Sequence, residues 1–147
     1  MPTGPTQAYA RRFDRQQLGL GTFLVAWLGE APAGTGELRW DGCAAPEVRS
    51  LYPDCPELNG LHVRPGLRGG GIGTALIAAA EHAVRGRGGR QLGLGVDDTN
   101  SRAAVLYLRL GYTETGCRYL DRYHYVSVDG QRHEVADPCR FLIKPLR

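Results

Sequence analysis

The order of elements legible in this chain predicts an α/β (α+β) fold: one domain over residues 1–147, a mixed sheet with helices packed on it. Three observations predict it. A hairpin signal lies near the start, with "TFLVAWLGE" and "TGELRW" on either side of a short turn. A strand-like stretch, "ELNGLHVRP", runs into four glycines within Gly69 to Gly73, and an apolar run follows at once. Strand and helix patterns then alternate until a closing strand-rich segment that holds the dipeptide Asp129-Gly130.

Taken in order, residues 1–6 are expected to be disordered, and "QAYARRFDRQQLG" forms one short helix stopped by Gly19. The β-branched and aromatic residues of "TFLVAWLGE" make it a strand, with "TGELRW" as its antiparallel partner. Residues 41–56 hold three prolines and two cysteines and read as a long loop. "ELNGLHVRP" is the central strand, ended by Pro65. After the glycines, Ala75, Leu76, Ala79, Ala80 and Ala83 recur at helical spacing, which predicts a helix from about Ile72 to Arg85. "RQLGLGV" is the next strand, and "NSRAAVLYLRLG" a second helix with Asn100 as its cap and Gly111 as its terminator. The remainder reads as "YTETG", "RYLDRYHYVSV", a two-residue turn at Asp129-Gly130, and "CRFLIKPL". Tyr119, Tyr123 and Tyr125 share one strand face by their period of two.

Composition narrows the function. A net charge of +3, from 18 basic and 15 acidic residues, is too mild to imply nucleic acid, although Arg64, Arg68, Arg85, Arg87 and Arg90 gather near the glycine segment. Cys43, Cys55, Cys117 and Cys139 lack CxxC spacing and no histidine follows at zinc-ligand distance, so no metal site is expected. No signal peptide opens the chain, and the longest apolar stretch, Ala75 to Ala80, is far short of a membrane span. The expectation is a cytoplasmic protein with reduced thiols and no membrane partner.

A strand that ends in a glycine turn and opens a helix is an anion-binding device. The first N–H groups of a helix lack intrahelical partners, the dipole is positive there, and glycine removes the Cβ atoms that would hold a phosphate away. A nucleotide P-loop would need GxxxxGK[ST], but the only lysine is Lys144. A dinucleotide fingerprint would need a third glycine where Leu76 stands.

The segment "LHVRPGLRGGGIGTALIAAAE" resembles the acetyl-CoA signature of the GNAT superfamily of N-acetyltransferases, a strand followed by [Q/R]-x-x-G-x-[G/A] and a helix, with Arg68, Gly71 and Gly73 at its defined positions. A second segment, "NSRAAVLYLRLGY", is similar to that family's N-x-x-[AS]-x-x-[FLV]-Y-x-x-x-G-[FY], matched by Asn100, Ala103, Tyr107, Gly111 and Tyr112. The resemblance covers residues 57–117 and implies a GNAT-like, mostly antiparallel sheet with a splayed central parallel pair and helices on both faces. It implies acetyl-CoA as cosubstrate. The turn amides of Arg68, Gly69, Gly70, Gly71, Ile72, Gly73 and Thr74 would hold the pyrophosphate. The strand Leu61, His62, Val63 would pair with the pantetheine arm, and Asn100 and Ala103 would border it.

The implied chemistry is direct attack of a primary amine on the thioester, with Tyr107 as general acid for the departing thiolate. The base is open. Glu57, at the start of the central strand, serves in this role or is an ordinary polar strand end; His62, the weaker Glu37 and Asp98, and solvent are the alternatives. Asp121, Tyr123, His124 and Tyr125 line an acceptor pocket or form an exposed hairpin. One departure stands out: only about twenty residues precede "TFLVAWLGE", room for one helix and no strand. Either the N-terminal part is shortened, or another subunit completes the acceptor wall as in a homodimer. The rival readings are a non-catalytic acyl-CoA-binding or sensing module and a dinucleotide-binding oxidoreductase.

Overall fold

The computed structural model describes residues 4–147, with side chains from residue 10 onward. The chain forms α1 (Gly4–Gln17), β1 (Gly21–Leu28), β2 (Ala31–Arg39), α2 (Pro46–Leu51), β3 (Glu57–Val63), α3 (Ile72–Gly86), β4 (Gln91–Asp97), α4 (Ser101–Arg109), β5 (Thr113–Val126) and β6 (Arg132–Pro145). One six-stranded sheet has the order β1-β2-β3-β4-β6-β5, with β3–β4 as its single parallel pair.

Alternation along the strands gives the sheet two unlike faces. Leu38, Leu58, Leu92, Leu94 and Leu142 point to one face and pack with Ile77, Ala80 and Val84 of α3 and with Ala104 and Tyr107 of α4. Each such large apolar side chain contributes about 1.5–3 kcal/mol by leaving water, which makes this face the floor of the molecule. The other face carries α2, whose Val48 packs with Cys43, Cys55, Tyr119, Cys139 and Phe141. There α1 is fixed by Arg15, which donates to Glu37 Oε2 at 3.1 Å and to Asp41 Oδ1 at 2.5 Å. Helix α1 touches both β1 and β5, so it lies across this second face.

The central feature is how briefly β3 and β4 pair. Only Glu57↔Gly93 and Leu58↔Leu94 are in register, and β3 continues to Val63 without that neighbour. The cause is local. Between the pairs Thr35↔His62 and Glu37↔Asn59, two residues of β3, Gly60 and Leu61, oppose one residue of β2. Gly60 takes φ +63, a value that a side chain resists, and the resulting bulge bends β3 away from β4.

Several boundaries depart from expectation. Helix α1 begins at Gly4, inside the stretch expected to be disordered, while residues 1–3 lie outside the described ones. Residues 41–56 are not all loop: Pro46 stands in the first turn of α2, where its missing N–H costs nothing. "YTETG" and "RYLDRYHYVSV" are one strand, with an irregularity between Glu114 and Arg118. The turn at Asp129-Gly130 is longer than two residues. Val126↔Arg132 is the last pair, and Ser127 N donates to Gln131 O at 2.9 Å. Asp129 reorganises this loop by accepting from Ser127 Oγ and from Gln131 N.

Candidate active site

Where β3 and β4 part, a cavity of about 440 Å³ opens, within the size range of small-molecule sites. It passes through the gap. Glu57, Asn59 and Tyr119 reach it from the α1/α2 face, and Tyr107 reaches it from α4 on the opposite face. The β3 edge from Asn59 to Val63 has no ladder partner on the β4 side among the described residues, so main-chain groups there are free to receive an extended ligand.

The glycine turn stands just beyond the end of β3. Arg68 Nε donates to Val63 O at 3.2 Å, which closes the turn back onto the strand. Gly71 caps α3 in the left-handed conformation, φ +88, with no side-chain cap. Ala75 N is the first of the helix to find an acceptor, at Gly71 O, and Leu67 N bonds Arg64 O. Between them, the N–H groups of residues 68–74 donate to no acceptor among the described residues. A Cβ added at Gly71 would meet nothing within 4 Å, so the space in front of the helix is open. Arg102, in the first turn of α4, places Nη2 3.6 Å from where a Cβ of Gly69 would lie. No ion pair of Arg102 exists among the described residues. Free amides, an open approach and an unpaired guanidinium fit a diphosphate.

Helix α4 begins as the sequence indicates: Asn100 Oδ1 accepts from Ala103 N at 3.1 Å. That bond takes one lone pair of the oxygen, and the amide Nδ2 of Asn100 is free to donate to a ligand. Tyr107 is 7% exposed, with its ring in the apolar cluster. Its hydroxyl makes no hydrogen bond among the described residues, and burial holds its pKa above the usual tyrosine value. The phenol therefore stays protonated at neutral pH.

Glu57 is 2% exposed. Asn59 Nδ2 donates to its Oε1 at 3.0 Å, and no cation comes within salt-bridge distance. Burial pushes its pKa up, against the opposing pull of Asn59, Cys43 and the more distant Arg39. The hydroxyl end of Tyr119 sits against Gly95, where any Cβ would collide with it. Burial and the charge of Glu57 raise the Tyr119 pKa, and the same two causes push the Cys43 thiol up to about 12.

The sequence-predicted residues thus divide. Glu57, Leu61, Asn100 and Tyr107 line one cavity, with Ala103 half-buried beside it on α4. Arg68 to Thr74 form the separate turn beyond the strand end. His62 is exposed and pairs with Thr35 on β2, on the face opposite Leu61 and Val63. Glu37 and Asp98 are held by arginines: Glu37 by Arg15 and Arg39, Asp98 by Arg118 and Arg140. Of the hairpin residues, Asp121 and Tyr123 face the cavity, whereas Tyr125 stacks on His133 at 4.8 Å. Arg102, Tyr119 and Cys43 were missed as site residues. Only Tyr119 carried a sequence signal, its place on the tyrosine face.

The profile of the acetyltransferase (GNAT) family matches residues 2–112. The chain belongs to the GNAT acetyltransferase family. The GNAT match is supported by similarity to an aminoglycoside N(6')-acetyltransferase type 1 from Klebsiella aerogenes, 42% identical over 78 residues, 50% of this chain and 51% of that protein. That match thus spans about half the length of the curated relative. In three dimensions the chain is similar to a ribosomal-protein-alanine N-acetyltransferase from Brucella melitensis, with TM-score 0.68 and 24% identity over 96% of this chain and 78% of that one. A GNAT family acetyltransferase from Elizabethkingia anophelis with acetyl-CoA bound gives TM-score 0.64 and 16% identity, covering 91% and 82%. These two likenesses carry the fold.

Proposed function

We propose that this GNAT chain transfers acetyl from acetyl-CoA to a primary amine by direct attack. The observation that carries the reading is the brief β3–β4 pairing, which opens one cavity to Glu57 and Tyr107 from opposite faces. When bound, acetyl-CoA supplies the thioester carbonyl at which the amine's N–C bond forms and the C–S bond breaks. The turn amides of residues 68–74 and the Arg102 guanidinium hold the diphosphate, and Asn100 Nδ2 donates to the pantetheine arm. Free N–H groups on the edge of β3 polarise the carbonyl oxygen. Glu57 takes the proton that the amine sheds, and its raised pKa makes it a better base than an exposed carboxylate. Tyr107 gives its proton to the departing sulfur and recovers one from solvent.

Release of free CoA thiol, followed with acetyl-CoA and a panel of amines, tests the reading. Turnover that falls in Tyr107→Phe while cofactor affinity holds supports it. Cofactor binding without thiol release for any amine would instead favour a non-catalytic acyl-CoA-binding module.

A further inference from the structure

Strand β4 carries glycine at alternate positions, Gly93 and Gly95, on the face opposite Leu92, Leu94 and Val96. Glycine weakens a strand interior, so the pair needs a physical reason. A Cβ at Gly93 would strike the ring of Phe141, and one at Gly95 would strike the hydroxyl of Tyr119. The two rings meet edge-on, with centroids 6.4 Å apart and planes at 71°. Strand β4 therefore omits two side chains to seat two aromatic rings, and the second of them brings a hydroxyl to the cavity.

That hydroxyl arrives beside Glu57. A Cβ on Gly95 would also come within 3.7 Å of Glu57 Oε2, so both oxygens border the small space above Gly95. They are nearer together than two N–H···O bonds laid end to end, at about 2.9 Å each, and one nitrogen can donate to both. Asn59 Nδ2 takes Oε1 at 3.0 Å, which leaves Oε2 facing that space. Of the other tyrosines near the sheet, Tyr123 donates to Asp137 and Tyr112 to Glu81. Apart from the Cys43 thiol, the Tyr119 hydroxyl has no hydrogen-bond partner among the described residues. Burial pushes that thiol up to about 12; Glu57 adds to the rise and Tyr119 opposes it, the pattern of a thiol that donates to the carboxylate and accepts from the phenol. The Tyr119 proton is thereby directed to sulfur, and the lone pairs of its oxygen are left for the cavity.

We propose that Tyr119 is a further catalytic residue: its oxygen accepts one N–H of the incoming primary amine while Glu57 Oε2 accepts the other, which aims the nitrogen lone pair at the thioester carbon. The proposal rests on the transferase reading and deepens it. As the N–C bond forms, the N–H facing Glu57 breaks and its proton passes to Oε2. The N–H on Tyr119 is retained and becomes that of the product amide. A neutral second acceptor suits this task, because a second carboxylate would hold the nitrogen as an ammonium without a lone pair. Burial and the charge of Glu57 raise the Tyr119 pKa and keep the phenol neutral. A secondary amine has a single N–H, so it loses one contact or sets its extra carbon against the Tyr119 hydroxyl. The pair of acceptors thus selects primary amines.

The test uses the full chain saturated with acetyl-CoA and three amines, benzylamine, ethanolamine and an alanine-initiated tripeptide, each beside its N-methyl counterpart. Thiol release should favour the primary amine of a pair by about tenfold or more in kcat/KM. Tyr119→Phe keeps the ring and removes the hydroxyl. It should lower kcat for the primary amine about tenfold and shrink the preference over the secondary amine by a similar factor, with acetyl-CoA affinity unchanged. No fall, or an equal fall for both members of a pair, would overturn the proposal and leave the transferase reading intact. If the parent releases no thiol with any amine, the transferase reading fails by itself, and calorimetry of the same amines against the CoA-loaded protein decides. Primary-amine binding that weakens about tenfold in Tyr119→Phe would sustain the contact, and binding that is absent or unmoved would overturn it.

Discussion

Two buried glutamates lie on opposite faces of one sheet. Glu81, on α3, accepts from Tyr112 Oη at 2.8 Å and from Lys144 Nζ at 3.0 and 3.1 Å, with Arg85 at 3.8 Å. Both carboxylate oxygens have donors, and the group ties α3 to β6 and to Tyr112, the residue before β5. Glu57, on β3, has a single side-chain amide and opens on the cavity. The first glutamate is a structural tie. The second keeps unsatisfied basicity next to a cleft, where it can be used. The same division holds for the surrounding faces: one is packed with leucine and valine, and the other is lined with carboxylates, thiols and tyrosine hydroxyls.

If this contrast is sound, variants on the two faces should fail in different ways. The largest effects belong to the cleft. Tyr107→Phe and Glu57→Gln should each lower kcat by about 10²-fold or more, with CoA affinity nearly unchanged and no loss of melting temperature, by steady-state kinetics and calorimetry. An unaltered kcat in either would remove that residue from the chemistry. Next comes Gly71→Val, which should abolish CoA binding by calorimetry. Its φ of +88 also strains any β-branched residue by about 1–2 kcal/mol, so a circular dichroism melt must show that the protein still folds.

Glu81→Ala should do the reverse. It strands Lys144, which is a quarter exposed, and the loss in stability should be about 2–3 kcal/mol, with kcat per folded molecule unchanged. The smallest effect is on pH dependence. A carboxyl whose pKa is raised in the folded state binds its proton more tightly there than when unfolded. Its contribution to stability is therefore present at low pH and is lost as pH rises through the folded value. Activity should move the opposite way, falling as Glu57 is protonated. Subtracting the Glu57→Gln melt from the parent melt, across the acid range, isolates this term from the lowered carboxylates of Asp41, Asp97 and Asp129.

What the sequence displayed and what it hid follow from the same physics. The span of α3, the Asn100 cap and the glycine turn depend on residues within a few positions of one another, and local pattern reports them well. Helix α2 was hidden because prolines near Pro46 read as loop, although proline in a first helical turn is ordinary. The bulge at Gly60 had a signal, a lone glycine inside a strand pattern, but its consequence required the register with β2. Asp121 was legible as a candidate for the acceptor pocket, whereas Arg102 and Asp137 meet the site only through the packing of α4 and the pairing of β5 with β6. No spacing along the chain encodes that.

The central claim is that the amides of residues 68–74 and the free edge of β3 receive acetyl-CoA. Amide hydrogen exchange, read residue by residue with and without CoA, tests it most directly. The account predicts fast exchange across 68–74 in the free protein and marked protection of that turn and of residues 59–63 once CoA is added. CoA bound with these amides still exchanging freely would contradict it.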